Sequence, residues 1–344
     1  MRVARKEVRP EVSGTSTTRS KGGEMTSTTE HISVMRDRCV DLLSPAIAAS
    51  SNPVVVDATL GLGGHTEALL QKFPQLTVIG IDRDLDAIAK ATERLAPFAD
   101  RLKTAHSTFD GIADVVASFG YKNIDGALFD LGVSSLQLDR AERGFAYSQD
   151  APLDMRMNQS EGITAADVIA TYSEQELRTI FHKYGDEKLS ARYAKAIVTQ
   201  RELEPITRSG QLVHILTVAT PAALSHSGHP AKRVFQALRI EVNAELEVLK
   251  RTMPAAVRAL RVGGRIVALA YHSLEDRIVK QALASAATCS GNGRGTSRGS
   301  QGSSPGRFNP RTRRDRRGNH HCQGWSLKLQ VGAWLQPHHL RFDQ

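Results

Sequence analysis

Residues 54–82, VVVDATLGLGGHTEALLQKFPQLTVIGID, read as strand, glycine turn, helix and strand, and few folds accommodate that order. The run Val54, Val55, Val56 is β-branched and apolar on both sides, the pattern of a strand covered on both faces of a parallel sheet. Asp57 ends it, and Gly61, Gly63 and Gly64 follow. Glycines at such a place let the backbone turn sharply and leave room for a ligand beside the next helix. Residues 65–73 fit a short helix with Ala68, Leu69 and Phe73 apolar, and residues 77–81 fit a second strand that runs into Asp82.

A crossover of this kind binds something that carries a ribose, with the second acidic residue on the ribose hydroxyls. Two cofactor classes compete. A dinucleotide fingerprint, G-x-G-x-x-G, requires a glycine where Thr66 stands. The spacing D-x-x-x-G-x-G, from Asp57 to Gly63, instead resembles the first motif of S-adenosylmethionine (SAM) methyltransferases. It suits a sulfonium ligand with an amino group and no pyrophosphate. A glycine turn with no ligand is the third reading.

The net charge of +9 suggests an acidic partner, but the charge is concentrated at the ends. Residues 287–344 hold ten basic against two acidic side chains, and residues 1–30 hold six against four. Residues 31–286 are left at net −1, so any nucleic-acid contact there must come from local patches. Cys39, Cys289 and Cys322 form no disulfide framework and no metal-binding spacing, so a reduced, cytoplasmic setting without a metal is expected. No apolar run approaches the ~20 residues of a membrane span.

Along the chain, residues 1–30 read as a disordered lead, with Met25 as an alternative start just before the first patterned segment. Val34, Met35, Val40 and Leu43 follow at helical spacing, as a helix against the sheet edge or a ligand-lining one. Residues 85–95 are helical, residues 102–106 a third strand and residues 124–131 a fourth, with Asp130 near its carboxyl end. Open α/β sheets bind ligands at that edge. The alternation then stops. Ser173 and Glu176 make a capping box, Leu177, Ile180, Phe181 and Tyr184 follow at helical spacing, and Gly185 ends that helix. Ala191, Ala194, Ile197 and Val198 mark the next. The sheet pattern resumes with one helix bearing Phe235, Leu238, Val242, Leu246 and Leu249, a second helix to Leu260, a turn at Gly263-Gly264 and a strand over 265–270. From about Ala287 the chain becomes Ser/Gly/Arg-rich, and only residues 326–335 offer a further strand.

Three blocks resemble the RsmH (MraW) family, bacterial methyltransferases acting on a cytidine of small-subunit ribosomal RNA. They are DATLGLGGHTEALL with GIDRD, FDLGVSSLQLDRAERGFAYSQDAPLDMRM, and KRVFQALRIEVNAELEVL running into GGRIVALAYHSLEDRIVK. The resemblance implies SAM-dependent methylation of the exocyclic N4 of a cytidine in the decoding region, on the assembled small subunit. It implies an α/β fold, a Rossmann-like class I methyltransferase sheet with an inserted all-helical domain. The catalytic domain would span residues 31–134 and 230–286, the substrate-recognition insertion 135–229, and the divergent basic tail 287–344. By motif match, SAM contacts fall on Gly63, Gly64, His65, Asp82, Phe109, Asp130 and Gln137. Ser33 and Leu136 stand where the family usually has proline.

Methylating an exocyclic amine requires an acceptor for its hydrogens, because the nitrogen must shed positive charge as the S–CH₃ bond transfers. DNA amino-methyltransferases place (D/N/S)-P-P-(Y/F) after strand four, where this chain has Asp130-Leu131-Gly132-Val133-Ser134. Asp130 is the first candidate for the catalytic carboxylate, with strand capping as the plainer alternative, and His272 in YHSLED is the second. Asp154 and Arg156 fit either a phosphate contact or a loop salt bridge, and Glu275, Asp276 and Arg277 fit a helix cap. Lys188, Arg192 and Lys195, with Lys183 and Arg201, are the cations available for RNA. A DNA cytosine-N4 or small-molecule methyltransferase, and a SAM-binding protein without activity, are the alternative functions.

Overall fold

A computed structural model describes residues 33–224 and 228–289. Its centre is a five-stranded parallel sheet in the order β3-β2-β1-β4-β5. The strands are β1 (Val54–Asp57), β2 (Thr77–Asp82), β3 (Leu102–His106), β4 (Ile124–Asp130) and β5 (Leu260–Leu269). Side chains alternate across the pleat, so successive residues of one strand serve two cores. Val54, Val56, Ile79, Ile81 and Phe129 face α4 (Ile112–Ser118), α11 (Glu245–Ala259) and α12 (Ser273–Cys289). Val55, Val78, Leu128 and Val267 face α1 (Arg36–Ala48) and α2 (Gly64–Lys72). Helix α1 thus lies over the face of the sheet at its β5 edge, through Cys39, Val40, Leu43 and Ile47. Helix α3 (Leu85–Arg94) packs Ala91 with Leu95 against Leu60 of the glycine loop.

Between β4 and α11 the described chain consists of helices and one long loop over residues 144–164. Helices α5 (Ser135–Asp139), α6 (Ala165–Thr171), α7 (Glu174–Gly185), α8 (Ser190–Arg201), α9 (Ser209–Ala219) and α10 (Ala231–Val242) follow in order. Helices α6 to α10 share an apolar core of their own, built around Ile169, Phe181, Tyr193, Ile197, Leu216 and Leu238. The capping box of Ser173 and Glu176 starts α7, with the Ser173 N–H donating to Glu176 Oε2 at 2.8 Å.

Helix α7 ends at Gly185 as expected, with the left-handed cap on Asp186 at φ 49°. A side chain at Gly185 would place its Cβ 2.5 Å from the Arg233 carbonyl oxygen, so the glycine is there to let α7 and α10 touch. The helix expected through 235–249 breaks at Asn243-Ala244, with Ala244 at φ 48°. The buried Asn243 side chain causes the break: Oδ1 accepts the Met157 N–H at 2.8 Å and Nδ2 donates to the Met155 carbonyl at 2.8 Å. Strand β5 begins at Leu260 and runs through the two glycines, absorbing them in a register shift against Ile124 and Gly126. Finally, Lys188 precedes α8 and does not share its face with Arg192 and Lys195. Residues 1–30 and the strand expected at 326–335 lie outside the described residues.

Candidate active site

Strand order reverses direction between β1 and β4, and the carboxyl ends of the strands around that point carry Asp57, Asp82 and Asp130. The three acids sit in different environments. Asp57 is buried and turned inward: Thr66 Oγ1 donates to its Oδ2 at 2.7 Å, and burial raises its pKa. It braces the glycine loop from below. Asp82 takes the Gly61 N–H on Oδ2 at 2.8 Å and the Asp84 N–H on Oδ1 at 2.9 Å. Burial still outweighs those two bonds and pushes its carboxyl up to about 6. Each oxygen keeps a lone pair for a further donor.

The glycines have a packing role that the sequence did not reveal. Gly63 is left-handed at φ 78°, and a Cβ there would lie 2.8 Å from Leu95 Cδ1. A Cβ on Gly64 would collide with Ser33 Oγ. The space these side chains leave is filled by α3 and by the segment before α1, which sets the loop's path.

Asp130 is three-quarters buried, and its carboxyl is raised by burial against the opposing bond from the Tyr271 hydroxyl, which donates to Oδ1 at 2.7 Å. His65 Nδ1 lies 3.9 Å from Asp130 Oδ2. The other ring nitrogen, Nε2, is 3.1 Å from the Val34 carbonyl, which can only accept, so Nε2 carries the proton in the neutral ring. His65 Nδ1 and Asp130 Oδ2 are then two acceptors turned toward each other, a spacing that suits a donor shared between them. The nearby Cys39 thiol is pushed up to about 12, by burial first and then by Asp130 and Asp57. It is an inert, protonated neighbour.

The remaining candidates are placed less uniformly. Phe109 follows β3 and sets its ring edge-on to Phe129, 6.1 Å between centroids. Beside it Asp110 accepts two bonds from Arg251, at 3.0 and 2.7 Å, which with Thr108 hold its carboxyl low against burial. Gln137 is buried: Oε1 accepts the Ser134 N–H at 3.1 Å and Nε2 donates to Asp84 Oδ2 at 3.2 Å. His272 is paired locally, its Nε2 3.2 Å from Glu275 Oε1. Asp154 and Arg156 form the loop salt bridge, at 2.8 Å. Glu275 caps α12, accepting the Tyr271 and His272 N–H groups, whereas Asp276 pairs with Lys280.

Sequence reasoning overlooked Tyr271, although it stands next to His272, and it overlooked the pairing of Asp84 with Arg143. That pair is buried on both sides, with Arg143 Nη1 donating to Asp84 Oδ2 at 2.9 Å and Nη2 to the carbonyls of Arg156 and Met157 at 3.0 and 2.9 Å. The string GIDRD, with two acids flanking one basic residue, was the only signal available.

An acidic site suits a cationic ligand. Asp82 presents acceptors for a ribose, Asp130 and His65 present acceptors for an ammonium, and the two guanidinium groups close by are committed elsewhere. Arg143 is bound to Asp84 and Arg83 to the Asn243 carbonyl at 3.0 Å. The residues fit SAM, and Thr66 stands where a dinucleotide site has its third glycine. Among the described residues no His, Cys, Asp and Glu group could hold a metal ion, and no helix is long and apolar enough to cross a membrane.

Sheet order, glycine loop and strand-end acids together define a Rossmann-like class I methyltransferase. The MraW methylase family matches residues 28–295, and the chain belongs to that family. The chain is 59% identical over 253 residues to "Ribosomal RNA small subunit methyltransferase H" of Leifsonia xyli subsp. xyli, covering 74% of this chain and 78% of the relative. Relatives of the same name from Clavibacter michiganensis subsp. michiganensis and Pseudarthrobacter chlorophenolicus are 58% and 57% identical over 258 residues each. The matches cover 75% and 74% of this chain and 81% and 78% of those relatives.

Proposed function

We propose that this chain uses SAM to methylate the exocyclic N4 of a cytidine in the decoding region of small-subunit ribosomal RNA. One observation carries the chemistry: a carboxylate raised by burial stands at the switch point, at the end of β4, with one oxygen held by Tyr271 and the other facing His65. SAM supplies an electrophilic methyl group on sulfur; as nitrogen takes that methyl, the S–CH₃ electron pair returns to sulfur and one N–H proton must leave. Asp82 holds the ribose through its free lone pairs. Asp130 Oδ2 and His65 Nδ1 receive the cofactor's ammonium. Asp130 Oδ1 accepts a hydrogen of the amine. Most of the rate gain comes from in-line positioning and fixed electrostatics.

In this reading residues 31–134 and the part of 230–286 after α10 form the catalytic domain, while residues 135–229, joined by α10 through their shared apolar core, recognise the RNA. Lys188, Arg192 and Lys195 are exposed there, and Glu187 does not neutralise them, because its buried carboxylate is turned inward onto the Leu189 N–H at 2.8 Å. Arg201 is not part of that set: it donates to the carbonyls of Ile169 and Tyr172 at the end of α6. The test is transfer of label from SAM to small subunits from cells lacking this modification, followed by digestion to nucleosides. N4-methylcytidine as the labelled product supports the proposal. Label on another nucleoside, on DNA only, or on none overturns it.

A further inference from the structure

Tyr271 is the one aromatic group at the carboxyl edge with a polar tie to the site and no place in an apolar core among the described residues. It is 45% exposed, yet it is held at both ends. Its hydroxyl donates to Asp130 Oδ1 at 2.7 Å and its N–H to Glu275 Oε2 at 2.9 Å. Glu275 is buried and also accepts the His272 N–H at 3.3 Å, which fixes the turn from β5 into α12. A side chain clamped in this way has little rotamer freedom left to lose, and nearly half its surface is open. Gly132, at φ 93° just beyond β4, lies against one edge of the ring: a Cβ there would meet Tyr271 Cδ2 at 3.6 Å, ordinary contact distance. The ring is thus packed beside the β4 end while 45% of the residue stays open.

We propose that Tyr271 is the positioning residue for the target base. Its ring is the wall on which the unstacked cytosine lies, and its hydroxyl keeps Asp130 Oδ1 turned to the exocyclic amine. An enzyme that reacts at a base atom must take that base out of its stack, and aromatic faces hold extruded bases without reading their sequence. A rigid, half-exposed ring tied to the acceptor carboxylate meets both needs with one side chain. The proposal rests on the N4-methylation reading given above.

The experiment compares full-length wild type, Tyr271→Phe and Tyr271→Leu on unmodified small subunits with labelled SAM. Cofactor affinity is measured by calorimetry alongside. Both substitutions keep bulk at a half-exposed position, and Phe keeps the aromatic face. Leu should lower kcat/KM for subunits by about tenfold or more, the range of one lost base–aromatic stack. Phe should keep most of that activity but move the acid limb of the pH profile upward, because the lost hydroxyl bond favoured the ionised form of Asp130. SAM affinity, measured above the acid limb where Asp130 is ionised in every variant, should fall far less than kcat/KM for subunits falls in Leu. Equal rates for Leu and Phe would overturn the stacking role. An unmoved acid limb in Phe would overturn the hydroxyl's role, and SAM affinity falling in step with rate would overturn both. Wild type failing to label N4 would overturn the underlying function as well, which the variants alone cannot do.

Discussion

Asp82→Asn separates what the site needs from what the fold needs. In the free protein burial lifts this carboxyl from 3.8 to about 6, despite two backbone N–H bonds that favour its charge. At 1.36 kcal/mol per unit, the charged form is disfavoured by about 3 kcal/mol in the fold. The folded pKa lies above the unfolded one, so the relative stability is fully present below pH 3.8 and is lost as pH rises through about 6. Asparagine removes the charge and keeps the shape, but its one oxygen must serve two N–H donors, at a cost of about 1–2 kcal/mol. The variant should therefore be about 1–2 kcal/mol more stable than wild type above pH 7, and less stable than wild type near pH 4. Its SAM affinity should fall at least tenfold, since a hydrogen bond to a charged partner contributes roughly 1.5–3 kcal/mol. Urea unfolding across pH and a calorimetric SAM titration read the two effects. A variant destabilised at neutral pH that binds SAM as wild type does would refute both the electrostatic account and the ribose assignment.

Arg143→Met leaves the buried Asp84 carboxylate without its partner and should destabilise by roughly 3–5 kcal/mol in urea unfolding. Gly185→Ala drives a Cβ into the Arg233 carbonyl and should cost about 1–3 kcal/mol, read as a lower thermal midpoint with SAM affinity intact. Replacing Lys188, Arg192 and Lys195 together by Ala should weaken subunit binding and flatten its salt dependence by about one unit for each phosphate no longer neutralised. An unchanged slope would move the RNA footprint away from α8.

The sheet was legible because its signals are local. The β-branched run at 54–56 and the short apolar run within 124–131 depend on no distant residue, and strands β1 to β4 fall where those patterns place them. The break between α10 and α11 was not legible, because Phe235, Leu238, Val242, Leu246 and Leu249 keep one apolar phase straight through it. The bonds that break the helix reach from Asn243 to Met155 and Met157, more than eighty residues away. Tyr271 was hidden for the same reason. It meets Asp130 across 141 residues of chain, and only the pairing of β4 with β5 brings the two together. Asp130 and Asp82 were visible because a strand's end is marked in its own sequence. Gln137 was visible as a motif residue, but its burial under Asp84 was not.

The Asp84 pairing limits which chimeras of this chain can work. Asp84 stands two residues beyond Asp82, and its carboxylate grips Gln137 and Arg143, while Arg83 reaches across to the Asn243 carbonyl. Both ends of the helical stretch are thereby stitched to a single strand terminus. Exchanging residues 135–229 with a relative would bring a foreign arginine and glutamine to a host aspartate, and would leave Asn243 to meet foreign neighbours at positions 155 and 157. The transplantable unit is the helical stretch together with residues 82–84 and 239–243. On the proposed assignment, altered RNA specificity cannot be grafted onto this scaffold without carrying along part of the strand terminus proposed to hold the cofactor.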